Sequence, residues 1–326
     1  MDIALAYQEK GSGEPLILLH GNGEDSSYFR HQIAYFQDRY RVIALDTRGH
    51  GKSPRGSAPF TIRQFARDLY DFMETRKIAE AVLLGFSDGA NIAMRFAMEH
   101  PERVKALILN GGNLDPAGVK RSTQLPIEIG YRIARHFAAR SAEARKNAEM
   151  LGLMVNEPNI RCDELARITM PTLVLCGTRD MIRESHSRKI AGSIPGARLV
   201  ILPGTHFLAN QRPAEFNQAV DAFLQTLRCP VPRPAAAAAP PPAKPLRGEP
   251  EAGTPNRSRQ PTGVPGAQRS ARARPSSRRR SGPTPGKAAS RRAESPFLVS
   301  APGGKKQNHF SRRHARREKY LSRSDV

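Results

Sequence analysis

The segment that most constrains this chain is Gly85-Phe86-Ser87-Asp88-Gly89, which joins a predicted strand to a predicted helix. The apolar run Ala81–Leu84 precedes it, and a helical pattern begins at Ala90. A serine on a sharp strand-to-helix turn requires backbone strain and close backbone approach, which explains the two glycines. Such a turn holds the hydroxyl clear of the sheet and leaves helix amides available to an oxyanion. The segment therefore predicts that Ser87 is a nucleophile.

A nucleophilic serine needs partners, because a neutral hydroxyl reacts poorly near pH 7. Among nine histidines, His206 is the predicted base, since it follows the last predicted strand and precedes the last predicted helix. The predicted acid is Asp180, which follows the strand Thr172–Cys176 and would orient the imidazole of His206. Asp115, which follows the preceding strand, is the alternative acid.

The order of apolar patterns predicts an α/β fold with a doubly wound, mostly parallel sheet, because strands alternate with helices along the chain. The first strand is predicted at Ile3–Tyr7, and Thr61 is predicted to cap a helix. Between residues 113 and 169 the alternation gives way to helical patterns, including Ile129, Ile133 and Phe137 at i, i+4 and i+8. An insertion on the ligand-binding side of such a sheet predicts a helical cap. An ordinary pair of surface helices is the alternative.

Five motifs occur along residues 1–228 in a fixed order: Leu18-Leu19-His20-Gly21, Asp46-Thr47-Arg48-Gly49-His50-Gly51-Lys52-Ser53, Gly85-Phe86-Ser87-Asp88-Gly89, Gly177-Thr178-Arg179-Asp180 and Gly204-Thr205-His206-Phe207. In this order they resemble the serine hydrolases of the α/β-hydrolase fold with a small helical cap. The resemblance implies a triad of Ser87, His206 and Asp180, and it implies no cofactor and no metal. It also implies an oxyanion hole from the backbone amides of Asn22 and Asp88, with Gly23 as the alternative to Asn22.

The resemblance favours a carboxylesterase-like enzyme that acts on an ester or related acyl bond of a small-molecule substrate. Haloalkane dehalogenases and epoxide hydrolases of this fold are disfavoured, because they use Asp where this chain has Ser87. An apolar acyl group of small to medium size is expected, with four apolar side chains as candidate contacts: Phe86, Phe207, Met150 and Met154. Two alternatives stay open: a lyase or cofactor-free oxygenase of the same fold, and a binding protein whose cleft is not catalytic.

Residues 229–326 differ sharply in composition from the rest of the chain. They contain 22 Lys and Arg but 5 Asp and Glu, so they carry +17 of the total charge of +22. The segment is rich in Pro, Ala and Arg and is predicted to be a disordered tail, because it can bury too little apolar area to offset chain entropy. Such a tail could bind polyanions nonspecifically. The alternative is a solvated appendage without a function.

Cysteine usage and the amino terminus bear on localisation. The chain has three cysteines without redox or metal-ligand spacing, which is typical of a reducing compartment. Its first residues, Met1-Asp2-Ile3-Ala4-Leu5, lack the basic and long apolar regions of a signal peptide. No run of about 18 apolar residues occurs, so no membrane-spanning segment is expected. A cytoplasmic location is therefore predicted.

Overall fold

A computed structural model of the chain describes residues 2–228, and the predicted tail at 229–326 lies outside the described residues. Its centre is a seven-stranded sheet with the order β1-β3-β2-β4-β5-β6-β7. The strands are β1 (Tyr7–Lys10), β2 (Pro15–Leu19), β3 (Arg41–Leu45), β4 (Ala81–Phe86), β5 (Val104–Asn110), β6 (Thr172–Gly177) and β7 (Arg198–Leu202). All neighbouring pairs are parallel except β1 and β3. The predicted mostly parallel α/β sheet is confirmed.

Helices cover both faces of this sheet. They are α1 (Arg30–Phe36), α2 (Ile62–Thr75), α3 (Asp88–Glu99), α4 (Arg121–Phe137), α5 (Ala142–Asn156), α6 (Glu184–Ser193), α7 (Leu208–Gln211) and α8 (Pro213–Arg228). Side chains alternate along β2, so Ile17 and Leu19 pack with apolar residues of α2, α3 and α6. Leu16 and Leu18 point the other way and pack with apolar residues of α1 and α8. The two buried layers explain why the central strands read as continuous apolar runs.

The start of α2 follows its sequence signal. Thr61 has an extended backbone, and its side chain accepts a hydrogen bond from the amide of Gln64, so it caps the helix as predicted. Phe65, Leu69 and Phe72 all lie on the buried face. Capping and periodicity are local signals, which is why they predicted this element well.

The first strand differs from its prediction at Ile3–Tyr7. Strand β1 begins only at Tyr7 and pairs antiparallel with β3 at the edge of the sheet. Ile3 and Leu5 are buried in the core. The amide of Ala6 donates to Ser53 Oγ at 2.8 Å instead of to a strand. The apolar alternation thus reports burial of the side chains, while backbone pairing starts later.

The insertion between β5 and β6 contains α4 and α5, which pack against each other and are called the helical pair below. Two contacts link α5 to the loops that follow β2 and β3. The Asn22 side-chain amide donates to the Met150 carbonyl oxygen at 2.7 Å, and Arg55 forms an ion pair with Glu149 at 2.7 Å. None of the helices within residues 2–228 is both long and apolar enough to span a membrane.

Candidate active site

Ser87 occupies the turn between β4 and α3 with a φ of 53°. This left-handed conformation is costly for a residue with a side chain, so the surrounding structure must impose it. A side chain at Gly85 would strike the backbone of Gly89, and one at Gly89 would overlap the carbonyl group of Leu19. The Ser87 amide donates to the Asn110 carbonyl oxygen of β5 at 2.8 Å. Neighbouring strands and two glycines thus hold the serine in its strained turn.

His206 and Asp180 come from the loops after β7 and β6 and meet Ser87 at the same edge of the sheet. His206 Nε2 lies 3.0 Å from Ser87 Oγ, and His206 Nδ1 lies 2.7 Å from Asp180 Oδ1. The strand order makes this meeting possible, because β4, β5, β6 and β7 are consecutive neighbours and their carboxyl ends are adjacent. The structure therefore brings the three sequence-predicted residues into one hydrogen-bonded chain.

The environment of Asp180 keeps its carboxylate charged. Burial raises the pKa of Asp180, but hydrogen bonds from His206 and from the amides of Ile182 and Gly177 outweigh burial and lower it. A charged carboxylate accepts a hydrogen bond from a protonated Nδ1 of His206. In the neutral ring Nε2 is then unprotonated and can accept a hydrogen bond from the Ser87 hydroxyl. This is the tautomer that a general base requires.

The loop after β2 approaches Ser87 closely. A side chain at Gly21 would place its Cβ 3.1 Å from Ser87 Cβ and 3.0 Å from the Phe86 ring. Glycine at this position lets the loop approach the nucleophile, and Asn22 is the next residue in that loop. Asp88 is the first residue of α3, where helix amides have no intrahelical acceptor. The two amides predicted as oxyanion donors therefore belong to segments that flank Ser87.

The side chain of Asp88 has an unusual environment. Burial raises its pKa to about 6, although the neighbouring Asn22 and Asn91 side chains act in the opposite direction. Its Oδ1 accepts from the Asn91 side-chain amide at 3.3 Å. Its Oδ2 is shielded from solvent and has no hydrogen-bond partner among residues 2–228. A carboxyl group beside the nucleophile thus changes charge near neutral pH.

The alternative acid, Asp115, is engaged elsewhere. Its Oδ1 accepts from the Ala117 amide at 2.8 Å and caps a short 3-10 turn. His20 is also structural in this arrangement, because its ring nitrogens contact the Gly21 carbonyl oxygen at 2.7 Å and the Thr47 amide at 3.0 Å. The pKa of His50 is lowered to about 4 by burial and by the neighbouring His20. Neither histidine is positioned as the base.

The four candidate apolar contacts fall into two groups. Phe86 is 1% exposed, with its ring stacked on Tyr28 at 4.4 Å and beside His206 at 4.8 Å. The structure thus places the Phe86 ring in the core, beneath the imidazole. Phe207, Met150 and Met154 are partly exposed, and a role in substrate binding stays a prediction for them.

Gly111 is a site residue that the sequence marked only as the end of a strand. Its φ is 65°, and a Cβ there would lie 2.7 Å from Cε1 of His206. The absence of a side chain therefore makes room for the imidazole. Only the fold brings residues 111 and 206 together, so no local signal could have predicted it. Within residues 2–228, His, Cys, Asp and Glu side chains form no group of three or more that could hold a metal ion.

Comparisons with known proteins agree with this architecture. A family model described as alpha/beta hydrolase fold matches residues 14–132. The chain is 28% identical over 256 residues to 3-oxoadipate enol-lactonase 2 of Acinetobacter baylyi, covering 69% of this chain and 94% of that protein. It is 29% identical over 252 residues to a putative carbamate hydrolase, RutD, of Azorhizobium caulinodans. This match covers 68% of this chain and 95% of that protein. The crystal structure of the enol-lactonase from Burkholderia xenovorans superposes with a TM-score of 0.59 at 25% identity. The superposition covers 68% of this chain and 97% of the enol-lactonase chain. The chain therefore has the α/β-hydrolase fold.

Proposed function

We propose that this protein is a serine hydrolase that cleaves an ester or related acyl bond through an acyl-enzyme. The observation that carries the proposal is the hydrogen-bonded chain from Asp180 through His206 to the strained Ser87. In this proposal residues 1–228 form the catalytic domain, and the insertion at 113–169 is its cap. A cytoplasmic location stays a prediction from the cysteine usage and the amino-terminal sequence.

Acylation would begin with attack of Ser87 Oγ on the substrate carbonyl carbon. His206 Nε2 takes the hydroxyl proton as the new C–O bond forms, and Asp180 stabilises the resulting imidazolium. The carbonyl oxygen becomes an oxyanion and accepts hydrogen bonds from the backbone amides of Asn22 and Asp88. When the tetrahedral intermediate collapses, His206 returns the proton to the leaving oxygen, and an alcohol departs.

Deacylation would repeat these steps with water. His206 Nε2 takes a proton from a water molecule, whose oxygen attacks the acyl carbon of the Ser87 ester. Collapse of the second tetrahedral intermediate releases a carboxylic acid and returns the proton to Ser87 Oγ. The same two amides hold the oxyanion in both halves of the reaction, so one site serves both.

The substrate class follows from the chemistry and from the relatives. A lactone is a cyclic ester and a carbamate has a related acyl bond, so the names of two relatives support acyl-bond cleavage here. The partly exposed side chains of Phe207, Met150 and Met154 favour an apolar acyl group of small to medium size.

The decisive experiment combines active-site labelling with a panel of acyl esters of graded length. The wild-type protein should react with a fluorophosphonate at Ser87, and mass spectrometry should locate the adduct there. Ser87→Ala should abolish labelling and lower ester turnover by about 10³-fold or more, with an unchanged circular dichroism spectrum. Near-normal turnover in a folded Ser87→Ala protein would contradict the mechanism. Products other than an acid and an alcohol would favour the lyase or oxygenase alternative, and retention of unreacted ligand would favour a binding protein.

A further inference from the structure

The outer surface of α4 carries a row of exposed apolar side chains. This outer stripe consists of Leu125, Ile129, Ile133 and Phe137, whose exposed fractions are 44%, 49%, 56% and 47%. Their spacing of four residues places them along one side of the helix. On the opposite side Ile127 and Ala134 are buried, and α4 packs against α5. Packing of the described residues thus explains the inner side of α4 and leaves the outer stripe uncovered.

Basic side chains accompany the outer stripe. Arg132 is exposed on α4 next to Ile133, and Arg140 is exposed just beyond the end of the helix. The one acidic residue of α4 is Glu128, which forms an ion pair with Arg121 at 2.6 Å. Apolar side chains beside exposed arginines, with little free acid, are the pattern of a helix that lies on a negatively charged lipid surface.

We propose that the outer stripe docks on an anionic lipid bilayer, with α4 parallel to the surface. The four apolar side chains enter the boundary between head groups and acyl chains, and Arg132 and Arg140 contact lipid phosphates. The arginine stem covers apolar surface while its head group reaches the phosphates, so both sets of side chains fit one surface. The helical pair also contacts the loop of Asn22, so docking would hold the candidate active site close to acyl compounds dissolved in the bilayer.

Two other occupants fit the outer stripe less well. The outer stripe consists of four side chains, whereas a stable protein interface involves roughly 20–30 residues from each partner. A symmetric contact between two copies would also bring the arginines of one α4 towards those of the other. The basic segment at 229–326 has the same sign of charge as α4 and only three aromatic residues, which disfavours it as the cover.

The test uses the full chain, which contains no tryptophan, so a single substitution creates a clean fluorescent reporter. Phe137→Trp places the reporter in the outer stripe, and Tyr35→Trp places a matched reporter at an exposed site on α1. When vesicles of phosphatidylglycerol and phosphatidylcholine are added, the tryptophan emission of the Phe137→Trp variant should shift to shorter wavelength. Brominated lipids in the vesicles should quench that emission. Tyr35→Trp should show neither effect. Equal behaviour of the two reporters would overturn the proposal.

A vesicle sedimentation assay then separates the outer stripe from the basic segment. At about 0.5 M salt electrostatic attraction is strongly screened, so binding that persists there reports apolar insertion. Ile129→Gln/Ile133→Gln should weaken wild-type binding at this salt concentration by at least tenfold, and the control Tyr35→Gln should not. Complete loss of wild-type binding at high salt would mean that charge alone attracts the protein. Self-association of the wild type that the double substitution abolishes, without an effect on vesicle binding, would make the stripe a contact between copies. Either result would overturn the proposal. The assay measures binding, so it stays informative even if ester turnover is absent.

Discussion

Asp180 and Asp115 offer the sharpest comparison between single residues. Asp180→Asn should lower ester turnover by about 10⁴-fold, because an amide at this position favours the wrong tautomer of His206. Asp115→Asn should leave turnover within a few fold of wild type, since Asp115 only caps a short turn. Steady-state kinetics on both purified variants decides between them. If Asp115→Asn loses turnover and Asp180→Asn does not, the acidic residue of the triad comes from the loop after β5.

Asp88 should make stability depend on pH. Its folded pKa of about 6 lies above the ordinary aspartate pKa of 3.8, so the native state keeps this proton to higher pH than the unfolded chain. The stability that it contributes is therefore full below about pH 4 and is lost as pH rises through about 6. Asp88→Asn keeps an acceptor oxygen for Asn91 and removes the titration. The variant should be more stable than wild type at pH 8 by roughly 3 kcal/mol, because one pKa unit corresponds to about 1.4 kcal/mol.

Urea unfolding at pH 8 and at pH 4 checks this expectation, because the two proteins should have similar stability at the lower pH. A constant difference between the proteins at both pH values would show that the carboxyl group has the same pKa in the native state as in the unfolded chain. The comparison is insensitive to catalysis, so it tests the electrostatic environment beside Ser87 by itself.

The residues of the candidate site differed in how far the sequence could reveal them. Ser87, Asp180 and His206 each follow a strand, and chain order alone grouped them. The raised pKa of Asp88 could not be predicted, because it depends on burial in the folded structure and on the charge of Glu157, which is distant in sequence. Gly111 was hidden for the same reason, since its neighbour His206 is separated from it by the whole helical pair and two strands.

Local sequence signals predicted that a helix is present better than they predicted which side of the helix faces the core. The cap at Thr61 and the periodicity of α2 are contained in one segment, and both appear in the structure. The periodicity of Ile129, Ile133 and Phe137 correctly indicated a helix. It could not indicate which side of α4 faces inward, because this helix is apolar on two sides and packing selected Ile127.

The contact between α5 and the loop of Asn22 predicts an effect on rate. Asn22→Ala removes the hydrogen bond to the Met150 carbonyl oxygen but keeps the backbone amide that would serve the oxyanion. Looser positioning of this amide should lower kcat by about tenfold, with a smaller change in KM. Gln124→Ala is a matched control, because it removes a similar bond to the Met154 carbonyl oxygen within the helical pair. Equal kinetics of the two variants would show that the Asn22 bond has no special role.

For the whole molecule, we expect ester turnover to depend on the residues up to Arg228 and polyanion binding to depend on residues 229–326. A chain ending after Arg228 should keep kcat/KM for a small neutral ester within a few fold, because all seven strands and the candidate triad lie before that point. The full chain should bind a polyanion such as heparin far more tightly than the shortened one, since residues 229–326 carry most of the net charge.

Salt concentration provides the control for this comparison. Binding of the full chain to the polyanion should weaken steeply between about 50 and 200 mM salt, because it would rest on counterion release. Loss of ester turnover on truncation at low and high salt alike would instead make residues 229–326 part of the enzyme.

The bond between Asn22 and the carbonyl oxygen of Met150 also bears on how this gene could vary. Every residue type supplies a main-chain carbonyl, so substitutions at position 150 can change the side chain without removing the acceptor. A one-residue insertion or deletion early in α5 would instead rotate the helix by about 100° and carry the acceptor away from Asn22. Substitutions in α5 should therefore change substrate preference while the hydrogen bond to Asn22 is kept. Insertions or deletions in α5 should be rare among active homologues.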